Sequence, residues 1–194
     1  MIREVIVTTQ SSNATTHIAP MGLHEHGDQL IVMPFRPSTT LNNLLELGCA
    51  VVNYTDDVRY FSACLTDQRE DWPMNLAKQV KGRYLAEILA HDELRLEHVE
   101  DDPLRPKLFC DIVHSETHRP FKGFNRAQSA VIEAAILTSR LGRLPLDKIQ
   151  TELAYLSIGY EKTAGQREKI AWNMLMATIQ QYKINHPDEV KTDD

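Results

Sequence analysis

The stretch Phe35-Arg36-Pro37-Ser38-Thr39-Thr40-Leu41-Asn42-Asn43-Leu44-Leu45-Glu46-Leu47-Gly48, continuing as Cys49-Ala50-Val51-Val52-Asn53, decides how the chain reads. An arginine and a proline lead into three hydroxyl residues, and an apolar helical segment starts directly behind them. A side-chain oxygen on Ser38 or Thr39 can accept an orphan N–H of the first turn, so one of the two caps the helix. Leu41, Leu44 and Leu45 fall at helical spacing, and Gly48 supplies the stop. Free N–H groups, the positive end of the helix dipole and a guanidinium fork together favour an anion at this mouth. An ordinary capped helix beside a surface arginine has the same sequence, and the stretch alone does not separate the two.

Outward from that helix the first half of the chain has the period of strands. Val5, Val7 and Thr9 alternate with Ile6 and Thr8 in a β-branched run. Gln10-Ser11-Ser12-Asn13 reads as a polar turn, and Thr15 to Leu23 as a second strand with Pro20 at an edge or bulge. His24 to Asp28 has the composition of a hairpin turn, Gln29 to Pro34 of a third strand, and Ala50 to Tyr54 of a fourth. Val58 to Asp71 is mixed. Asn75 to His91 has part of a helical pattern, which Gly82 interrupts. Glu93 to Val99 and Lys107 to Ser115 alternate again and would close a small antiparallel barrel.

From Asn125 the period becomes helical. Asn125 with Gln128 resembles a reciprocal cap, Ala127, Val131, Ala134, Ala135 and Leu141 share a face, and Gly142 ends the helix. A second helix is expected from about Pro145 to Ser157 and a third behind Thr163 and Gln166, with Ile170, Met174 and Ala177 on its apolar stripe. The expected organisation is a barrel domain over 1–123, a three-helix region over 124–187 and a polar tail over 188–194.

The 194 residues are 42% apolar and 25% charged, as in soluble globular proteins. A net charge of −6 argues against a broad nucleic-acid surface while leaving room for one local phosphate pocket. Met1-Ile2-Arg3-Glu4 does not begin a secretion signal, and no apolar run approaches membrane-helix length. Cys49, Cys64 and Cys110, an odd number in apolar strand-like settings, suit buried free thiols in a reducing cytoplasm.

The leading stretch resembles the phosphate-binding turn of FMN-binding split-barrel proteins of the flavin-reductase-like group. The matching residues are Arg36, Ser38, Thr39, Thr40, Asn43, Gly48 and Val51-Val52-Asn53. Ile18-Ala19-Pro20-Met21-Gly22-Leu23 is similar to the group's second strand, which runs beside the flavin ring. Nearly the whole chain resembles an uncharacterised branch of that group, catalogued as a domain of unknown function, with added C-terminal helices. The narrower likeness rests on Glu4 to Thr9, Asn53 to Asp57, and Phe124-Asn125-Arg126-Ala127 leading to Val131-Ile132-Glu133-Ala134.

The resemblance implies a mainly β fold with α: a Greek-key antiparallel split β-barrel that binds FMN, plus a C-terminal three-helix region. It implies the FMN phosphate at Arg36, Ser38, Thr39, Thr40 and Asn43. The ring would lie along Ala19, Pro20, Met21 and Gly22 and by Asn53 and Thr55. It further implies a homodimer with flavin at the subunit interface, where the partner chain's Phe121 to Arg126 segment could complete the pocket. The resemblance also implies an association with tetrahydromethanopterin-linked one-carbon metabolism. An oxidoreductase working through flavin N5, a flavin carrier or sensor, and a dimeric interaction scaffold all remain open, and no side chain stands out as catalytic acid or base.

Other constellations are weaker. His24-x-His26 lacks further ligands and reads as a solvated turn. His114-x-x-x-His118 has the ligand spacing of a helix but lies at the end of a strand, where the two do not converge. Lys122 to Arg126 reads as a helix entry or a second anion contact. Gly-x-Ser-x-Gly, Walker and Gly-x-Gly-x-x-Gly loops are missing, which argues against common hydrolase, NTPase and dinucleotide folds.

Overall fold

A computed structural model describes residues 1–66, 68 and 71–189, and the expected polar tail beyond 189 lies outside the described residues. Two compact units emerge, one from residues 1–56 and 71–121, the other from 57–70 and 122–194.

The first unit holds β1 (Ile2–Gln10), β2 (Thr16–His26), β3 (Gln29–Val32), α1 (Thr39–Leu47), β4 (Cys49–Tyr54), β5 (Met74–Leu76), β6 (Arg83–Leu85), β7 (Ala90–Glu100) and β8 (Lys107–Thr117). Six of these strands close an antiparallel barrel in the order β1-β2-β3-β8-β7-β4. Its interior is set by alternation. Val5, Val7, Leu23, Leu30, Val32, Ala50, Val52, Leu94, Leu108 and Cys110 point inward, and Leu41 and Leu44 of α1 plug the same cluster. Full burial of a leucine such as Leu44 stabilises by roughly 1.5–3 kcal/mol.

The barrel is split along β2. That strand pairs with β1 from Thr16 to His24, but with β3 only at His24–His26, so the other edge of Ala19 to Leu23 enters no ladder among the described residues. The turn between β2 and β3 is shorter than its composition suggests. It occupies Gly27 and Asp28, with Gly27 at φ 59°, because His24, Glu25 and His26 all pair with β3.

Asn75 to His91 contains no helix. The turn at 77–82 joins β5 to β6 in a hairpin that lies on the outer face of β1 and β4. Gly82 is what lets it approach, since a Cβ there would stand 3.2 Å from Val51 Cγ2. The hairpin explains why Ile6, Thr8, Val51 and Asn53 are buried although they point away from the barrel core.

The second unit holds α2 (Arg59–Leu65), α3 (Arg126–Thr138), α4 (Leu146–Thr163), α5 (Gln166–Asn185) and a 3-10 turn at Pro187–Glu189. The mixed segment behind Val58 is thus largely helical, and α2 packs against α3 and α5. Cys64 accordingly sits on a helix, half-buried, rather than in a strand. Tyr60, Phe61, Val131, Ile149, Ala171, Trp172 and Leu175 form the core, with small residues Ala127, Ala130 and Ala134 on α3.

The caps differ in detail from the expected ones. Asn125 accepts the N–H groups of Ala127 and Gln128, but the Gln128 side chain donates to Glu168 on α5 instead of reaching back. Gly142, at φ 73°, lies in the turn after α3, which ends at Thr138. Helix α4 runs on to Thr163, so Thr163 closes that helix; Gly165 starts α5 with its N–H donated to Glu168. Among the described residues no helix is long and apolar enough to cross a membrane.

Candidate functional site

Ser38 is the cap of α1. Its backbone is extended, and its hydroxyl oxygen accepts the Leu41 N–H at 3.3 Å while its carbonyl accepts the Asn42 N–H at 3.1 Å. The N–H groups of Thr39 and Thr40, the first two helical residues, point out of the helix start with no carbonyl behind them. Gly48 ends the helix at φ 64° and donates its N–H to the Leu44 carbonyl. Two backbone donors and the half-buried or exposed hydroxyls of Ser38 and Thr39 therefore share one mouth, with Thr40 buried behind them. Donor-rich and carrying the positive end of a dipole, this set fits a phosphate monoester.

Arg36 stands two residues before the cap, joined to Pro37 by a cis peptide bond. Its N–H is donated to the Leu104 carbonyl at 2.9 Å, and its guanidinium bonds the Asp102 carbonyl and the Asp101 carboxylate. A phosphate would therefore compete with Asp101, a carboxylate that is 80% exposed and so weakly held. Arg105 braces the same loop, donating to the Met33 carbonyl at 2.8 Å with its guanidinium over the Phe35 ring.

The remaining residues marked by the resemblance divide. Ala19, Pro20, Met21 and Gly22 are half-buried on β2 along the edge that β3 leaves bare, with Met21 against the core cluster. A Cβ on Gly22 would stand 3.0 Å from Ile2 Cγ2, a close contact that the exposed Ile2 side chain would have to relieve by shifting. Pro20 stands opposite Ile6, and Ile6 opposite Asn53, so the two lie on one cross-strand row. Thr55 follows β4 and is half-buried. The side chains of Asn43 and Asn53 turn inward. Asn43 donates to the Thr9 hydroxyl at 3.0 Å in the buried interior, and Asn53 is fully committed to Ile6, Thr8, Val51 and the Leu85 N–H.

A second polar cluster lies on the outer face of β7 and β8. His91 and Glu93 of β7 face His114 and Glu116 of β8 in register, and His118 follows directly. His91 and Glu93 are wholly buried. The Glu93 carboxylate accepts the N–H groups of Lys78, Gln79 and Val80 at 2.7, 2.6 and 3.0 Å. Burial pushes this carboxyl up, but those donors and His91 outweigh it and hold the group below its ordinary range. Burial is also the main cause that lowers the His91 imidazole, against the attraction of Glu93. His91 Nδ1 is 2.8 Å from His118 Nε2, with Tyr84 stacked over both rings. The pair His114 and His118 does not converge on itself; both converge on His91. The legible signal was the alternation His91-x-Glu93 and His114-x-Glu116-x-His118 on adjacent strands, not the helical spacing.

A closed six-stranded antiparallel barrel, split along its second strand and plugged by a helix with a hydroxyl-lined mouth, is the split barrel of flavin-reductase-like proteins. The chain belongs to the family described as protein of unknown function DUF447, matching its N-terminal domain over residues 3–119 and its second part over 125–177. It is 29% identical over 146 residues to the uncharacterized protein MJ1453 of Methanocaldococcus jannaschii, spanning 73% of this chain and 75% of that one. Among solved structures, the FMN-bound protein MM1853 from Methanosarcina mazei superposes with a TM-score of 0.77 at 19% identity, over 91% of this chain and 94% of that one. The Pseudomonas fluorescens 2-nitrobenzoate 2-nitroreductase NbaA reaches 0.53 at 17% identity, over 59% of this chain and 64% of that one.

Proposed function

We propose that the chain binds FMN and acts as a flavin-dependent oxidoreductase, as a homodimer with flavin at the subunit interface. The observation that carries the reading is the likeness, over nearly the full length of both chains, to a family member solved with FMN bound. The mouth of α1 supports it locally. The Thr39 and Thr40 N–H groups and the Ser38 and Thr39 hydroxyls would hold the phosphate, and Arg36 would add a charge-assisted fork by exchanging Asp101 for the phosphate. The ring would lie against Ala19 to Gly22, where β2 has a bare edge, and near Thr55. Asn43 and Asn53 act by shaping this wall rather than by touching the cofactor, since their amides are spent inside the fold.

Bound FMN supplies hydride or one-electron transfer at its N5. The chain's part is then to bind the phosphate, to orient the ring along β2 and to keep water from it. Tetrahydromethanopterin-linked one-carbon compounds, which the family resemblance suggests, are the first substrates to try.

The test is direct. Protein purified without added cofactor and then titrated with FMN should quench flavin fluorescence at one FMN per chain, and riboflavin, which lacks the phosphate, should bind far more weakly. Equal affinity for both, or none for either, would remove the phosphate assignment. Anaerobic bleaching of bound flavin by NADH, NADPH or a reduced deazaflavin, with reoxidation by a second substrate, distinguishes an oxidoreductase from a carrier.

A further inference from the structure

We propose that the outer face of β7 and β8 carries a divalent transition-metal site, with His91 Nε2, Glu93 and His114 Nε2 as ligands and Glu116 beside them. This site is separate from the flavin reading and does not depend on it.

The first argument is register. His91 and Glu93 are two apart on β7, and His114 and Glu116 two apart on β8, so all four project from the same side of the pair. Glu93 stands directly opposite His114, and His91 opposite Glu116. One ligand atom each from His91, Glu93 and His114 can be chosen so that all lie within 4.8 Å of one another. His91 Nε2 and Glu93 Oε1 are 3.3 Å apart, and His114 Nε2 and Glu116 Oε2 are 3.7 Å apart. Ligands on a tetrahedral zinc, with bonds of about 2.1 Å, are separated by roughly 3.4 Å. His91 and Glu93 already stand at that separation, and His114 would close on the ion from no more than 4.8 Å.

The second argument is an unsatisfied atom. His114 Nε2 is buried and has no hydrogen-bond partner among the described residues. A buried imidazole nitrogen without a partner is costly, and a cation at its lone pair would remove the cost. Glu116 Oε2 pairs with the Lys78 ammonium at 2.8 Å, on a side chain half-exposed and free to swing out as a cation arrives.

His91 Nδ1 and His118 Nε2 are 2.8 Å apart in rings whose planes differ by 9° and whose centroids are 5.1 Å apart, the edge-to-edge geometry of an N–H···N hydrogen bond. That contact orients His91. With the metal on Nε2, His91 carries its proton on Nδ1 and donates it to His118, the outer support that metal-bound histidines usually have. Glu93, clamped by three backbone N–H groups, is likewise preset. Two imidazoles and one or two carboxylates suit Zn2+, Fe2+, Mn2+ or Co2+ in preference to Mg2+ or Ca2+.

The test uses the full chain without a histidine tag, stripped with chelator, then equilibrated with Zn2+ or Co2+ and freed of excess metal. One ion per chain is expected by elemental mass spectrometry, and Co2+ should give the intense visible bands of a four- or five-coordinate site. His114→Ala should weaken Zn2+ binding at least tenfold and abolish those bands, while His24→Ala, on β2 far from the cluster in sequence, leaves both unchanged. His114 makes no internal hydrogen bond through Nε2, so this variant should fold; circular dichroism matching the parent chain verifies it. A stripped chain that takes up less than a tenth of an equivalent of every metal overturns the proposal. So does binding that survives both His114→Ala and Glu116→Gln.

Discussion

The side-chain oxygen of Asn53 on β4 accepts the backbone N–H of Leu85 on β6 at 2.8 Å, tying the outer hairpin to the barrel wall. The amide nitrogen of the same side chain reaches the Ile6 carbonyl at 3.1 Å and the Thr8 hydroxyl at 3.2 Å. One fully buried residue thus joins β1, β4 and β6. Asn53→Ala should destabilise the chain by about 2–4 kcal/mol, because it orphans the Leu85 N–H and opens a small void. Urea unfolding measures this. FMN affinity, compared under conditions where both proteins are folded, should change less than threefold. A large affinity loss without a stability loss would reassign Asn53 as a cofactor contact.

At the α1 mouth the expectations run the other way. Arg36→Ala should weaken FMN binding by about 1–3 kcal/mol, the range for a charge-assisted contact, with little effect on stability because the guanidinium is partly exposed. Asp101→Ala removes the competitor for that guanidinium and should leave FMN binding unchanged or tighter. Ser38→Ala combines both effects, since loss of the cap alone costs about 0.5–2 kcal/mol of stability. Fluorescence titration of the three variants discriminates. Tighter binding in Arg36→Ala, or a tenfold loss in Asp101→Ala, would place the phosphate elsewhere.

Much of this is legible in the sequence. The strands around Val5 and Leu108 announce themselves by alternation, and the cap at Ser38 with the stop at Gly48 needs only local rules. What escaped depends on partners distant in sequence. Gly82 interrupts a helical pattern in one dimension, but in three it is the point where a hairpin meets Val51. Helix α2 is only seven residues long, with no side-chain cap, and is stabilised by packing on α3 and α5 rather than by its own sequence. The inward turn of Asn43 and Asn53 could not be read from spacing, because an amide on either face of a strand or helix has the same letter. His91 and His114 meet only through the pairing of β7 with β8, which no motif encodes.

Burial pushes the Cys110 thiol up to about 12 and raises that of Cys49 as well. At pH 8 the Cys110 thiol is then ionised in roughly one molecule in ten thousand. A disulfide reagent should therefore label the folded chain at Cys64 first, and reach Cys49 and Cys110 only on unfolding, as peptide mass spectrometry would read. There is also a sign to the pH dependence. The native Cys110 keeps its proton between pH 9 and 12 while the unfolded thiol, with its ordinary value of 9.0, loses it. The native state then binds more protons, so this group's contribution falls as pH rises through that window, by at most about 1.4 kcal/mol per pH unit. Cys110→Ala should flatten that slope, and rapid labelling of Cys110 in folded protein at pH 8 would contradict the burial.

Asn125 offers the corresponding test in the helical unit. Its side-chain oxygen accepts the Ala127 N–H at 2.7 Å and the Gln128 N–H at 3.3 Å, and its amide nitrogen donates to the Thr163 carbonyl at 3.1 Å. It therefore caps α3 and at the same time satisfies a carbonyl in the last turn of α4. Asn125→Asp keeps the cap, and its charge suits the helix start, but it loses the donor and sets a carboxylate against the Thr163 carbonyl. Asn125→Ala loses both functions. The alanine variant should lose about 1–3 kcal/mol and the aspartate variant less, since one backbone acceptor at a half-buried position can turn to water. Thermal unfolding of the two variants orders them. An aspartate variant as unstable as alanine would mean that the bond to Thr163, not the cap, is what holds the start of α3.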